Sequence, residues 1–234
     1  MDRLAVHIRE GERVSASTYP AAEDCRLGAT LILAHGAGAG QSSSFIVRFA
    51  TGLSSRGLDV LTFNFLYAEA RRRIPDRTGK LEACYRAAIA AARSYGPFER
   101  NELFIGGKSM GGRIASHLAA AEADAAAFGI RGLIVLGYPL HPPGKPDQLR
   151  TAHLANIRLP MLIVQGSRDP FGTPAELRPV VDRLTASVTL HVIENGDHSL
   201  APPKGSSLST DQMYDQVQDT IVRWVRSVPV SAHR

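Results

Sequence analysis

Cysteine is scarce in this chain. Cys25 and Cys84 are the two present in 234 residues; they lie far apart and form no metal-binding spacing. That excludes a zinc-ribbon domain or a disulfide framework, and nothing indicates a disulfide. Long apolar runs are also missing. No stretch reaches the roughly 18 residues a membrane-spanning helix needs. The opening residues, MDRLAVHIREGERVSAS, contain no apolar core of signal-peptide length. The simplest expectation is a cytoplasmic location. Charge of one sign is not concentrated either: 27 Lys and Arg face 22 Asp and Glu, for a net +5. The densest basic cluster is Arg71-Arg72-Arg73, with Arg77 and Lys80 nearby. No zinc-finger spacing, RNA-binding aromatic motif or long basic tract accompanies it, so neither nucleic acid nor membrane is an expected partner. A mildly basic balance still permits an anionic substrate.

What is present fits one α/β domain spanning residues 1–234, long enough for a full core. Arg3 to Arg9 and Arg13 to Thr18 can open as a pair of strands. Ala29 to Ala34 (ATLILA) is a continuous apolar run, the pattern of a strand buried on both faces. A glycine-rich loop, Gly36 to Gly40, follows. Ser44 to Arg56 reads as a helix stopped by Gly57, then Asp59 to Phe65 as a strand, and Lys80 to Tyr95 as an alanine-rich helix. Further strands are expected at Gly132–Gly137, Pro160–Gln165 and Val188–Ile193, with helices from Thr173 to Leu184 and from Asp211 to Arg226. Strands that alternate with helices predict a mostly parallel sheet covered on both faces.

One segment carries chemistry. Glu102 to Gly112 reads ELFIGGKSMGG, and Gly107-Lys108-Ser109-Met110-Gly111 fits G-x-S-x-G between an apolar strand and the helical run Arg113 to Ala121. A sharp strand-to-helix turn would lift the serine oxygen clear of the sheet, with small neighbours avoiding clashes. An ordinary glycine-rich turn is the plainer alternative. A serine hydroxyl needs a base to take its proton. In this topology acid and base should follow the serine along the chain, on loops at the carboxyl ends of strands. Asp169, in QGSRDP just after the PMLIVQ strand, is the acid candidate, although Asp-Pro is also a common turn dipeptide. His198, in NGDHSL after the last strand, is the base candidate. His7 and His191 fall in strands, His117 in a helix, His141 and His153 near the rim and His233 at the end. Asp197 adjoins His198 too closely to reach its ring and reads as loop-shaping. Oxyanion donors are expected from the N–H groups of Met110 and Ala37. Gly36, Gly38 and Gly40 do not match a dinucleotide fingerprint, and no Walker lysine follows. No cofactor and no metal is expected.

Taken together, HGAG, GKSMGG, GSRDPFG and NGDHSL, in that order, resemble the α/β-hydrolase superfamily, over about Ala29 to Trp224. The likeness is closest to small, cap-poor hydrolases related to dienelactone hydrolase. Within those it resembles a bacterial group that shares its domain with a subunit of an animal chromatin-modifying complex. The resemblance implies an α/β-hydrolase fold with an approximately eight-stranded, mostly parallel sheet and a Ser-His-Asp triad. Dienelactone hydrolases proper use a cysteine nucleophile, and this chain has Ser109, so lactone activity is not carried over.

The interval where large lids are inserted in such enzymes is here the 22 residues Tyr138 to Leu159, which leaves no room for a cap domain. The expected substrate is a small-molecule ester or thioester, met by His35, Tyr67, Lys108 and Tyr138 around an open pocket. Arg71 to Arg73 could line the same mouth or form a solvated patch. An amidase or peptidase would use similar geometry, and the same fold can also serve as a non-catalytic interaction module. An exposed edge strand could support a homodimer.

Overall fold

The computed structural model describes residues 1–229; His233 lies outside them. Its strands are β1 (Arg3–Arg9), β2 (Glu12–Tyr19), β3 (Ala29–Ala34), β4 (Asp59–Phe63), β5 (Glu102–Lys108), β6 (Ile130–Leu136), β7 (Met161–Gly166) and β8 (Val188–Ile193). Its helices are α1 (Ser44–Ser54), α2 (Leu66–Glu69), α3 (Thr78–Arg93), α4 (Met110–Ala120), α5 (Glu122–Ala127), α6 (Pro174–Val181) and α7 (Thr210–Ser227). The eight strands form one sheet in the order β1-β2-β4-β3-β5-β6-β7-β8. The β1–β2 and β2–β4 pairings are antiparallel, and every pairing from β4 to β8 is parallel.

Continuous apolar strands make sense because helices cover both faces. Successive residues of β3 alternate between two cores: Ile32 and Ala34 pack under α3 and α4, and Leu31 and Leu33 under α1 and α7. Trp224 closes the second core, edge-on to Phe104 with ring centroids 5.9 Å apart. Cys84 is buried and unbridged, and burial pushes its thiol up to about 12, which makes it a packing residue.

Strand order decides where a ligand can sit. After β3 the chain goes outward to β4 and then returns to β5 on the other side of β3. The loops leaving the carboxyl ends of β3 and β5 therefore diverge and open a crevice, the position where ligands enter open α/β sheets. The Tyr138–Leu159 segment contains a single 3₁₀ turn, Leu154–Asn156, and builds no cap.

Several element ends differ from the sequence reading by one to three residues, and one of them has a visible cause. The strand expected to reach Phe65 ends at Phe63, because Asn64 turns the chain: its Oδ1 accepts the Gln41 N–H at 2.8 Å and its Nδ2 donates to Glu69 at 2.9 Å. The short helices α2 and α5 were not foreseen; at four and six residues they are too brief to show a helical period.

Candidate active site

Ser109 sits between β5 and α4 with φ 51° and ψ −116°, a conformation that is costly for a residue with a Cβ. The turn survives because its flanks are bare. A Cβ on Gly107 would lie 2.6 Å from the Ala34 carbonyl oxygen, and one on Gly111 would lie 2.6 Å from the carbonyl oxygens of Ala34 and His35. Only glycine lets β5 and α4 approach β3 this closely. The Ser109 N–H is fixed to the Leu136 carbonyl at 2.9 Å, so the side chain projects from the crevice floor at the N-terminus of α4.

The structure brings Ser109, His198 and Asp169 together from three loops. His198 Nε2 lies 2.9 Å from Ser109 Oγ, and His198 Nδ1 lies 2.7 Å from Asp169 Oδ2. A carboxylate accepts, so Nδ1 carries the proton and the Nε2 lone pair faces the serine hydroxyl. Asp169 is 1% exposed, and both of its oxygens are hydrogen-bonded. Oδ1 accepts the Phe171 N–H at 2.8 Å, and Oδ2 also accepts from Gln165 Nε2 at 2.8 Å. Gln165 is clamped in turn, donating to the Gly172 carbonyl and accepting the Tyr138 N–H, each at 2.7 Å. Asp197 shapes the histidine loop: its Oδ1 accepts the N–H groups of Ser199 and Ala201.

Lys108, next to Ser109, is 8% exposed and donates through Nζ to the His198 carbonyl oxygen. Burial pulls its ammonium down to about 8, against the opposing pull of Asp169 and Asp197. Its Nζ also lies 5.7 Å over the Phe45 ring.

Three residues expected at the substrate are not there. His35, Tyr67 and Tyr138 are each 0% exposed. His35 Nε2 accepts the Phe65 N–H at 3.2 Å, so Nδ1 is protonated and donates to the Gly36 carbonyl at 2.8 Å. Desolvation holds this imidazole down at about 4, which keeps it neutral. Tyr67 reaches the same Gly36 carbonyl at 3.4 Å. The Gly36 oxygen thus faces these two buried side chains, and Ala37 and Met110 both line the cavity above Ser109. Tyr138 donates to the Arg150 carbonyl at 2.6 Å.

The cavity above Ser109 has a volume of about 620 Å³ and is also lined by Phe45, Lys108, Arg113, Pro139, Arg150 and Phe171. Arg113, Arg150 and Phe171 did not emerge from sequence reasoning. Arg113 had a signal: it lies four residues after Ser109 in the first turn of a helix, where a cation opposes the helix dipole. Arg71, Arg72 and Arg73 are exposed; Arg72 pairs with Asp76 at 2.8 Å, and none of the three lines the cavity. A larger cavity, about 1000 Å³, lies at the amino ends of β5 and β6 beside Glu102, Ile130 and Arg158, away from the Ser109 crevice.

A family model described as an alpha/beta hydrolase domain matches residues 28–226. Solved structures give the same picture of the fold. A dienelactone hydrolase from Anabaena variabilis superposes with a TM-score of 0.74 at 18% identity, covering 98% of each chain. A serine hydrolase without a lid from Xanthomonas campestris gives 0.74 at 17% identity, covering 98% of this chain and 96% of that one. Est1E from Butyrivibrio proteoclasticus gives 0.73 at 15% identity, covering 96% of this chain and 97% of its own.

Proposed function

Because the chain belongs to the alpha/beta hydrolase domain family, we propose that it is a serine hydrolase that cleaves small carboxylic esters or thioesters through an acyl-enzyme. The observation that carries this reading is the continuous hydrogen-bonded chain from Ser109 Oγ through His198 to Asp169, with links of 2.9 and 2.7 Å, beneath an open cavity.

The cycle follows from that geometry. Ser109 Oγ attacks the carbonyl carbon while His198 Nε2 takes its proton. Asp169, buried and hydrogen-bonded at both oxygens, holds the ring with Nδ1 protonated and stabilises the imidazolium that forms. The Met110 N–H at the start of α4 and the Ala37 N–H receive the negative oxygen. The imidazolium then gives its proton to the departing alcohol or thiol. A water molecule, deprotonated by the same Nε2, attacks the acyl carbon and frees the acid and Ser109.

The test is turnover of p-nitrophenyl acetate and butyrate by the wild type and by Ser109→Ala. Loss of turnover in a variant whose circular dichroism is unchanged supports the reading. Equal turnover would refute it. A wild-type chain that cleaves no ester and resists fluorophosphonates would point instead to an interaction module.

A further inference from the structure

We infer that the cavity at Ser109 selects substrates bearing an anionic group, a carboxylate or a phosphate, held by the guanidinium groups of Arg113 and Arg150. The inference rests on the hydrolase reading and names the substrate class.

The two arginines line the cavity with Ser109 and His198. Their charges repel: Arg150 pushes the Arg113 guanidinium down, in the same direction as its burial. Arg113 also lies in the first turn of α4, at the positive end of the helix dipole. Three costs thus fall on one side chain, and only the smaller pulls of Tyr138 and Glu82 oppose them. Among the described residues neither guanidinium donates to a protein acceptor or pairs with a carboxylate. The acid that draws on Arg113 is Glu82, which is already engaged by His117 Nδ1 at 3.0 Å and by Arg86 at 3.7 Å. Asp76, the one acid on the cavity wall, pairs with Arg72 through Oδ1 at 2.8 Å, and its buried Oδ2 has no hydrogen-bond partner among the described residues.

The backbone of Arg150, by contrast, is fixed at both ends of the residue. Its N–H donates to the Leu140 carbonyl at 2.8 Å, and its carbonyl accepts the buried Tyr138 hydroxyl at 2.6 Å. The fold therefore positions the main chain of Arg150 firmly, on a residue that lines the cavity and whose guanidinium has no protein acceptor among the described residues. Exposed arginines are solvated and need no partner. Two half-buried ones lining one cavity, neither paired with its single wall acid, form a site for an anion with several acceptor oxygens.

The experiment compares matched p-nitrophenyl esters on wild-type protein: pentanoate, neutral, against the glutarate half-ester, which ends in a carboxylate, and an analogue of equal length ending in phosphate. The expected result is a kcat/KM for at least one anionic ester about 10- to 100-fold above the neutral one, the range a charge-assisted hydrogen bond supplies. The better of the two identifies the group. In Arg113→Gln and Arg150→Gln that ratio should fall about tenfold, and Lys at either position should restore part of it. A wild-type ratio near one or below overturns the anion site without any variant having to fold, and so does a ratio that persists in both Gln variants. If the neutral ester is cleaved through Ser109 with no charge preference, only this inference fails. If no ester is cleaved and Ser109 resists fluorophosphonates, the hydrolase reading fails with it.

Discussion

Replacing Asp169 with Asn changes one atom and should disable the site. In the native arrangement Oδ2 accepts from His198 Nδ1 at 2.7 Å and from Gln165 Nε2 at 2.8 Å, and Oδ1 accepts the Phe171 N–H at 2.8 Å. The Phe171 N–H must keep an acceptor, so the amide oxygen of Asn occupies the Oδ1 position. The amide NH₂ then faces both Gln165 Nε2 and His198 Nδ1. Two consequences follow. A donor now opposes the Gln165 amide in a dry environment, costing about 1–3 kcal/mol of stability. The imidazole must also present a lone pair at Nδ1, which moves its proton to Nε2. An Nε2–H facing Ser109 Oγ can donate and cannot accept, so the serine loses its base. A wrong tautomer in a triad lowers kcat by roughly 10⁴-fold, about 5.5 kcal/mol of barrier. The assay is p-nitrophenyl butyrate hydrolysis, with urea unfolding to measure stability. An Asn variant within about tenfold of wild type would refute the tautomer argument.

Three further outcomes are expected. Gly111→Ala brings a methyl to 2.6 Å from two backbone oxygens and should lower stability by about 1–3 kcal/mol, read as a Tm loss of several degrees; an unchanged Tm would mean that α4 slides freely on β3. Tyr85→Phe should cost about 1–3 kcal/mol in urea unfolding. The fully buried hydroxyl accepts the Gly106 N–H at 2.8 Å and lies 2.7 Å from the carbonyls of Ile32 and Gly106, so its loss orphans a donor between two central strands; a cost below about 0.5 kcal/mol would contradict this. Lys108 is held near 8 from an ordinary 10.5, so between those values the unfolded chain binds more protons and stability rises with pH. Lys108→Met should remove that rise, up to about 3 kcal/mol between pH 7.5 and 10.5; a wild-type minus variant difference that is flat with pH would contradict it.

Much of the fold was legible because buried parallel strands announce themselves. ATLILA and PMLIVQ are apolar without alternation since each has a helix on both faces, and the glycines around Ser109 mark where backbones touch. Chain order pointed to Asp169 and His198, and the structure sets His198 within hydrogen-bonding distance of both Asp169 and Ser109. The walls were less legible. His35 and Tyr67 lie near the site in sequence, but their polar atoms point inward to one carbonyl, and spacing alone does not reveal which way a ring turns. The Tyr138 hydroxyl likewise turns away from the cavity, to the Arg150 carbonyl. Gln165 went unused, although a polar residue ending an apolar strand is the mark of a buried clamp. Arg150 lies in a loop with no period to orient it, and its approach to Arg113 is a tertiary fact.

The central claim is that Ser109 is nucleophilic because His198 accepts its proton. Reaction with a fluorophosphonate, followed by peptide mass mapping, tests it most directly. The account predicts a single phosphonyl adduct on Ser109 that disappears in Ser109→Ala and forms far more slowly in His198→Ala. An adduct on another residue, or labelling of Ser109 at the same rate without His198, would contradict it.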